Sequence, residues 1–180
     1  MNKELLNWEK TVGITFLRDI GVKEKDVVID FGCGAGFYCI SAAFIVGAGG
    51  KVYAIDKSGN GFRSLRDRYS QSGLKNIEMI KTNGELDLNL QNEIADVALL
   101  YDVLHYFSDQ NRKNLIKEMR RLLKKEAILS IHPTHLKTTA FKHLINEIVE
   151  LGFDYKGISK GNLIHYNFFE VSLVYNFKRA

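Results

Sequence analysis

Proline is nearly missing from these 180 residues: Pro133 stands alone, which excludes a proline-rich linker or a polyproline recognition arm. Cysteine is almost as scarce. Cys33 and Cys39 lie six residues apart in a glycine-rich stretch, a spacing that makes neither a zinc site nor a disulfide framework and that predicts a reducing compartment. The longest near-apolar run, Cys39 to Ala48, falls far short of the roughly 20 residues of a spanning helix. Met1-Asn2-Lys3-Glu4 opens without the apolar core of a secretory signal, so the expectation is a cytoplasmic protein with no membrane partner. An excess of one charge is also lacking. The 25 basic against 21 acidic side chains leave +4, spread over both halves, and the pI of 9.0 bears on solubility and non-specific contacts more than on fold.

What is present is ordinary globular composition, 46% apolar and 26% charged, in a length that one core can serve by burying ~70% of the unfolded surface. Residues 4–20 scatter Leu5, Leu6, Trp8, Val12, Phe16 and Leu17 among charges, a helical pattern ended by Gly21. Buried-strand runs follow at Val27–Phe31, Lys51–Asp56, Ile77–Lys81, Ala95–Tyr101 and Ala127–Ile131. Helical patterns separate most of them, at 37–47, 62–72, 109–125 and, after Pro133, 137–151. Two last strands are expected at Phe153–Ser159 and Ile164–Phe177, turning at Lys160-Gly161-Asn162 as an antiparallel hairpin on a sheet edge. This alternation predicts an α/β fold: a Rossmann-like, mostly parallel seven-stranded sheet with helices on both faces and ligands beyond the carboxyl ends of its strands.

The strongest local signal is Asp30-Phe31-Gly32-Cys33-Gly34-Ala35-Gly36 between a strand and a helix. Glycine at 32, 34 and 36 permits a sharp turn and close approach of a ligand to backbone N–H groups. The dinucleotide pattern G-x-G-x-x-G fails in both registers, because its last position falls on Phe37 or Cys39. Asp30 before the loop would repel a pyrophosphate and accept a neutral or cationic ligand. Twenty residues past Gly36, the second strand ends in Asp56, where such folds place a carboxylate against ribose hydroxyls. Together these residues resemble the class I S-adenosylmethionine-dependent methyltransferases over about residues 22–177. Leu99-Leu100-Tyr101-Asp102-Val103-Leu104-His105-Tyr106-Phe107 is similar to the branch of ubiquinone and menaquinone biosynthesis.

The resemblance implies S-adenosylmethionine as cofactor, a methyltransferase domain at 22–180, and a helical segment at 1–21 packing on it. Gly32, Cys33 and Gly34 would form the wall along methionine and ribose, shaped by Asp30 and Gly36. Asp56 would hold the ribose and Lys57 would lie beside the adenine. Asn83 and Gly84 would meet the adenine edge, Asn83 standing where the family often has Asp. Tyr101 and Asp102 would face the methyl group. Transfer from a sulfonium needs alignment rather than an acid, and orientation supplies ~7 to 11 kcal/mol; a base, for which Asp102 and His105 are the catalytic candidates, serves only acceptors that lose a proton.

The expected acceptor is a small molecule. RNA or protein methylation, a non-catalytic S-adenosylmethionine-binding module and a nicotinamide oxidoreductase are the rivals. The basic face of Lys117, Arg120, Arg121 and Lys124 reads as solvated, and the absence of an Asn/Asp-Pro-Pro-aromatic motif disfavours base methylation. His132 and His135 flank Pro133 on the ligand side and His165 lies in the final hairpin, all without metal-ligand spacing, so no metal is expected. Of Trp8, Phe37, Tyr38, Tyr101, Tyr106, Phe107, Tyr166 and Phe168, most are expected in the core. No long insertion covers the acceptor site, which leaves it open, closed by the first helix, or closed by a second copy in a homodimer.

Overall fold

The computed structural model describes residues 3–57, 59–165 and 168–180. Its elements run α1 (Lys3–Lys10), α2 (Val12–Ile20), β1 (Val27–Phe31), α3 (Phe37–Val46), β2 (Lys51–Asp56), α4 (Gly59–Ser72), β3 (Ile77–Lys81), β4 (Ala95–Tyr101), a 3-10 turn (Leu104–Tyr106), α5 (Asp109–Leu122), β5 (Leu123–His132), α6 (Thr138–Glu150), β6 (Phe153–His165) and β7 (Phe168–Arg179). The strands form one seven-stranded sheet in the order β3-β2-β1-β4-β5-β7-β6. β1 to β5 are parallel, and β7 enters antiparallel between β5 and β6. The chain thus reverses direction across the sheet at β1 and β4, and ligand crevices form at such a switch point.

Two cores flank the sheet. Leu5 and Trp8 of α1, Phe16 and Leu17 of α2, α3, and Phe62 and Leu65 of α4 pack on one face. Leu115, Ile116 and Met119 of α5 and Phe141, Leu144 and Ile148 of α6 pack on the other. α3 is apolar nearly all round because it is buried nearly all round.

Three sequence boundaries shift. The first helix is two, broken at Thr11, whose φ of −131° and ψ of −88° leave the helical region. α5 stops at Leu122, and Leu123–Glu126 begin β5. The expected turn at Lys160-Gly161-Asn162 is instead mid-strand: Gly161 pairs with Ser172, and the register continues to His165 opposite Phe168. Glycine is required there by packing, since a Cβ on Gly161 would lie 2.6 Å from the Phe16 ring. Among the described residues no helix is long and apolar enough to cross a membrane.

Candidate functional site

A cavity of about 480 Å³ opens at the carboxyl ends of β1, β2 and β4, within the range of small-ligand sites. Its wall begins with the glycine loop. Gly32 and Gly34 hold φ of +80° and +52°, and the N–H groups of Gly32 and Cys33 donate to the Ile55 carbonyl at 2.8 and 3.1 Å. A Cβ on Gly32 would strike Val103 at 2.5 Å, whereas one on Gly34 would meet nothing within 4 Å. The backbone at Gly34 is therefore bare toward open space in the cavity. The Gly34 N–H donates to Asp56 Oδ2 at 2.7 Å, which fixes the carboxylate at the end of β2 against the loop.

Asp30 is buried under this loop, 2% exposed, and accepts from the Cys39 thiol at 3.0 Å. Burial raises its pKa to about 7; the Cys39 bond opposes the shift and the Asp56 charge adds to it. Cys33 is buried and reduced, its pKa raised, with the Cys39 hydrogen bond lowering it and burial and the nearby carboxylates raising it. It fills the loop.

The remaining sequence candidates divide. Asp30, Gly32, Cys33, Gly34, Asp56, Lys57, Gly84, Tyr101 and Asp102 line the cavity. Gly36 does not: its φ is +77°, and a Cβ there would hit Leu65 at 2.6 Å, so it serves the packing of α4. Asn83 is exposed and absent from the lining, which Thr82 and Gly84 supply instead. Lys57 Nζ lies 5.7 Å above the ring of Tyr106. Of the aromatics, Trp8, Phe37, Tyr38 and Tyr101 are buried, while Tyr106 and Phe168 are 61% and 54% exposed. Tyr166 lies outside the described residues.

Tyr101 stacks edge-on with Tyr38, centroids 4.8 Å apart, and Tyr38 with Trp8 at 5.2 Å. The Tyr101 hydroxyl is paired with Ser130 at 2.9 Å, and burial raises its pKa. It is a fixed wall rather than a proton donor.

Asp102 follows β4 with φ +56°, a left-handed conformation rare for residues with a side chain. Its Oδ2 lies 2.5 Å from Nδ1 of His165, and Oδ1 lies 3.6 Å from Nδ1 of His132. His105 does not pair with Asp102. Its ring contacts Tyr106 and His135 with centroids at 4.0 and 4.9 Å, and burial lowers its pKa. His135 Nε2 in turn faces His165 Nε2 at 3.1 Å. Four of the chain's five histidines therefore gather beside Asp102 at the ends of β4, β5 and β6. The ligand-side placement of His105, His132 and His135 was readable from the strand ends; that of His165, and its pairing with Asp102 63 residues away, was not. Among the described residues no three His, Cys, Asp or Glu side chains are arranged to hold a metal ion.

Two of the four basic residues that the sequence put on one face are tied inward, Arg121 at the end of α5 and Lys124 at the start of β5. Arg121 donates to the carbonyls of Leu88 and Leu90 and pairs with Glu118, and Lys124 pairs with Asp96.

Known proteins resemble this chain in sequence and in fold. The chain is 33% identical over 116 residues to the 2-phytyl-1,4-naphtoquinone methyltransferase of Trichormus variabilis, covering 62% of this chain and 49% of the relative. It is 36% identical over 81 residues to the probable cobalt-precorrin-6B C(15)-methyltransferase (decarboxylating) of Saccharolobus solfataricus, covering 44% and 41%. These matches span less than half the length of either relative. The crystal structure of a SAM dependent methyltransferase from Aquifex aeolicus superposes with a TM-score of 0.76 at 22% identity, over 96% of this chain and 92% of that one, which shows the fold. A family profile described as a methyltransferase domain matches residues 22–169, and with the cavity built at the same strand ends as its glycine loop, the chain belongs to the methyltransferase-domain family.

Proposed function

We propose that the chain transfers the methyl group of S-adenosylmethionine to a small-molecule acceptor. The observation that carries this reading is the meeting of the bare Gly34 backbone and the Asp56 carboxylate in one cavity at the sheet's switch point. The residues fit that cofactor: Asp56 suits ribose hydroxyls, and Gly32, Cys33 and Gly34 suit the edge running from sugar to amino acid. Lys57, Thr82 and Gly84 border the opposite end, where the adenine would rest, with Asn83 left outside. The bound cofactor supplies an activated methyl group on a sulfonium.

The chain's own residues then position and exclude. Tyr101, locked by Ser130 and Tyr38, gives a rigid apolar wall, and Asp102 brings a carboxylate to the acceptor end. Alignment in such a dry, fixed site contributes ~7 to 11 kcal/mol. A small acceptor is favoured because relatives are named for quinone and corrin methylation, and because Arg121 and Lys124, two of the four cations that an RNA rival would use, are engaged internally. Residues 1–21 are read as a helical segment seated on a 22–180 domain, and a homodimer partner as one way to cover the open acceptor side.

Calorimetric titration of the wild type and Asp56→Ala with S-adenosylmethionine, S-adenosylhomocysteine and NAD tests the reading. The first two bind the wild type, roughly ten- to a hundredfold more weakly in Asp56→Ala, and NAD binds neither. Binding of NAD alone would overturn the assignment.

A further inference from the structure

Resting on the cofactor reading above, we propose that Arg68 of α4 is the positioning residue of the cofactor loop: gripped by Glu9 of α1, it holds the Ala35–Gly36 peptide from behind the cavity wall and so sets the affinity for S-adenosylmethionine. α1 is then a working part of the site, although none of its described residues lines the cavity.

The loop is a four-residue turn anchored at both sides of one peptide unit. The Gly36 N–H donates to the Cys33 carbonyl at 2.8 Å, which aims the Ala35 carbonyl of the same planar trans unit the opposite way. The first turn of α3 takes its acceptor one residue later, the Ile40 N–H donating to the Gly36 carbonyl at 3.1 Å. The Ala35 carbonyl is met by Nη2 of Arg68 at 2.6 Å. A peptide plane held at its N–H and its C=O does not rotate. Gly34, inside this turn, is therefore kept where its N–H reaches Asp56 Oδ2 at 2.7 Å. Arg68 meets the wall a second time, its guanidinium carbon 4.4 Å above the Phe37 ring, and both Ala35 and Phe37 line the cavity.

The guanidinium is itself aimed. Its Nε donates to Glu9 Oε2 at 3.1 Å, and Nη1 donates to the hydroxyl and the carbonyl of Ser64 at 3.0 and 3.4 Å. A planar fork of donors suits this three-way grip, which a point-like ammonium cannot reproduce. Glu9 is fixed in turn: its carbonyl accepts from Ser41 Oγ of α3 at 2.8 Å, and its neighbour Trp8 donates to the Asn162 carbonyl at 2.8 Å. The face of α4 that carries Arg68 is seated on the loop along its length, since Gly61 lies against Gly34 and Leu65 against Gly36, at helical spacing from residue 68.

Stability alone does not account for the buried pair. Burial raises the Glu9 pKa more than Arg68 lowers it, and a buried ion pair returns little over well-packed apolar side chains of the same volume. An apolar pair would fill the space but would aim no donor at the Ala35 carbonyl. That donor is what links α1 and α4 to the geometry of the cofactor wall.

The test uses the full chain and two readouts. In the ligand-free protein, amide hydrogen exchange followed by NMR reports the turn, and the Gly36 N–H should exchange at least about tenfold faster in Arg68→Met than in the wild type. Calorimetric titration with S-adenosylhomocysteine, well below each melting temperature, should find binding weaker by about tenfold or more. The Glu9→Leu/Arg68→Met pair, which strands no buried charge, separates position from stability: it should melt above Arg68→Met and still bind as weakly. Glu9→Gln, whose amide oxygen can accept from Nε, should restore most of the affinity that Glu9→Leu loses. Wild-type affinity and wild-type Gly36 exchange in Arg68→Met or in the double variant would overturn the proposal, as would a loss of affinity that simply follows the melting temperature across the series. Failure of the wild type to bind S-adenosylhomocysteine is the separate failure of the cofactor reading, on which the exchange readout does not depend.

Discussion

A buried carboxylate with its pKa raised to about 7 reverses the usual dependence of stability on pH. Asp30 binds its proton more tightly folded than unfolded, so its contribution falls as pH climbs from about 3.8 to about 7. The span corresponds to about 4 kcal/mol. Asp30→Asn is therefore expected to raise the melting temperature more at pH 8 than at pH 5, where only part of that span has been crossed; equal effects at both would show that Asp30 is ionised throughout. That Gly32, Gly34, Asp30 and Asp56 share one cavity wall was legible because their spacing is local. Asn83 was misplaced because a loop's direction, which turns it outward between Thr82 and Gly84, leaves no mark in periodicity. His135 was readable as a ligand-side residue and His165 only as part of the hairpin, and their contact was not readable, since it spans 30 residues and two strand ends.

Elements meet the loop at two further points. A Cβ on Gly61 in the first turn of α4 would lie 2.4 Å from the Gly34 carbonyl oxygen, a backbone atom that cannot swing aside. Gly61→Ala should accordingly lower cofactor affinity about tenfold or more with little change in the far-ultraviolet spectrum; unchanged affinity would show that the loop and α4 move together. Glu9 of α1 pairs with Arg68 of α4 at 3.1 Å, both buried, and Arg68 also donates to the Ala35 carbonyl. The Glu9 pKa is nonetheless raised, because burial costs its charge more than Arg68 returns. Glu9→Ala should then cost ~3 to 5 kcal/mol in chemical denaturation by stranding the guanidinium, and the Glu9→Leu/Arg68→Met pair should cost less than the two single changes added together. Element boundaries were the least legible: a glycine reads as a turn until the Phe16 ring that excludes a side chain at 161 is in view.

Over the whole molecule, the cavity joins the ends of β1, β2 and β4 with both cores behind it, so ligand binding there and global unfolding are linked. S-adenosylhomocysteine at a hundredfold over its dissociation constant adds ~2.7 kcal/mol, which for a chain this long should lift the melting temperature by roughly 5 to 11 °C. A scan with and without the ligand measures it, and no shift would mean that the site forms only after some rearrangement. Fold class was legible throughout because alternation of strand and helix is a global pattern that survives errors at individual boundaries.

The sheet order has one consequence for how the molecule comes into being. β6 is made before β7 but pairs only with it among the described strands. While β7 is still within the ribosome, His165 has no sheet to stand on, and β5 presents a bare edge. The side of the cavity closed by Ile164, and His165 beside it, is thus completed only when β7 arrives to pair with β6, after the glycine loop and Asp56 that β1 and β2 carry have been made.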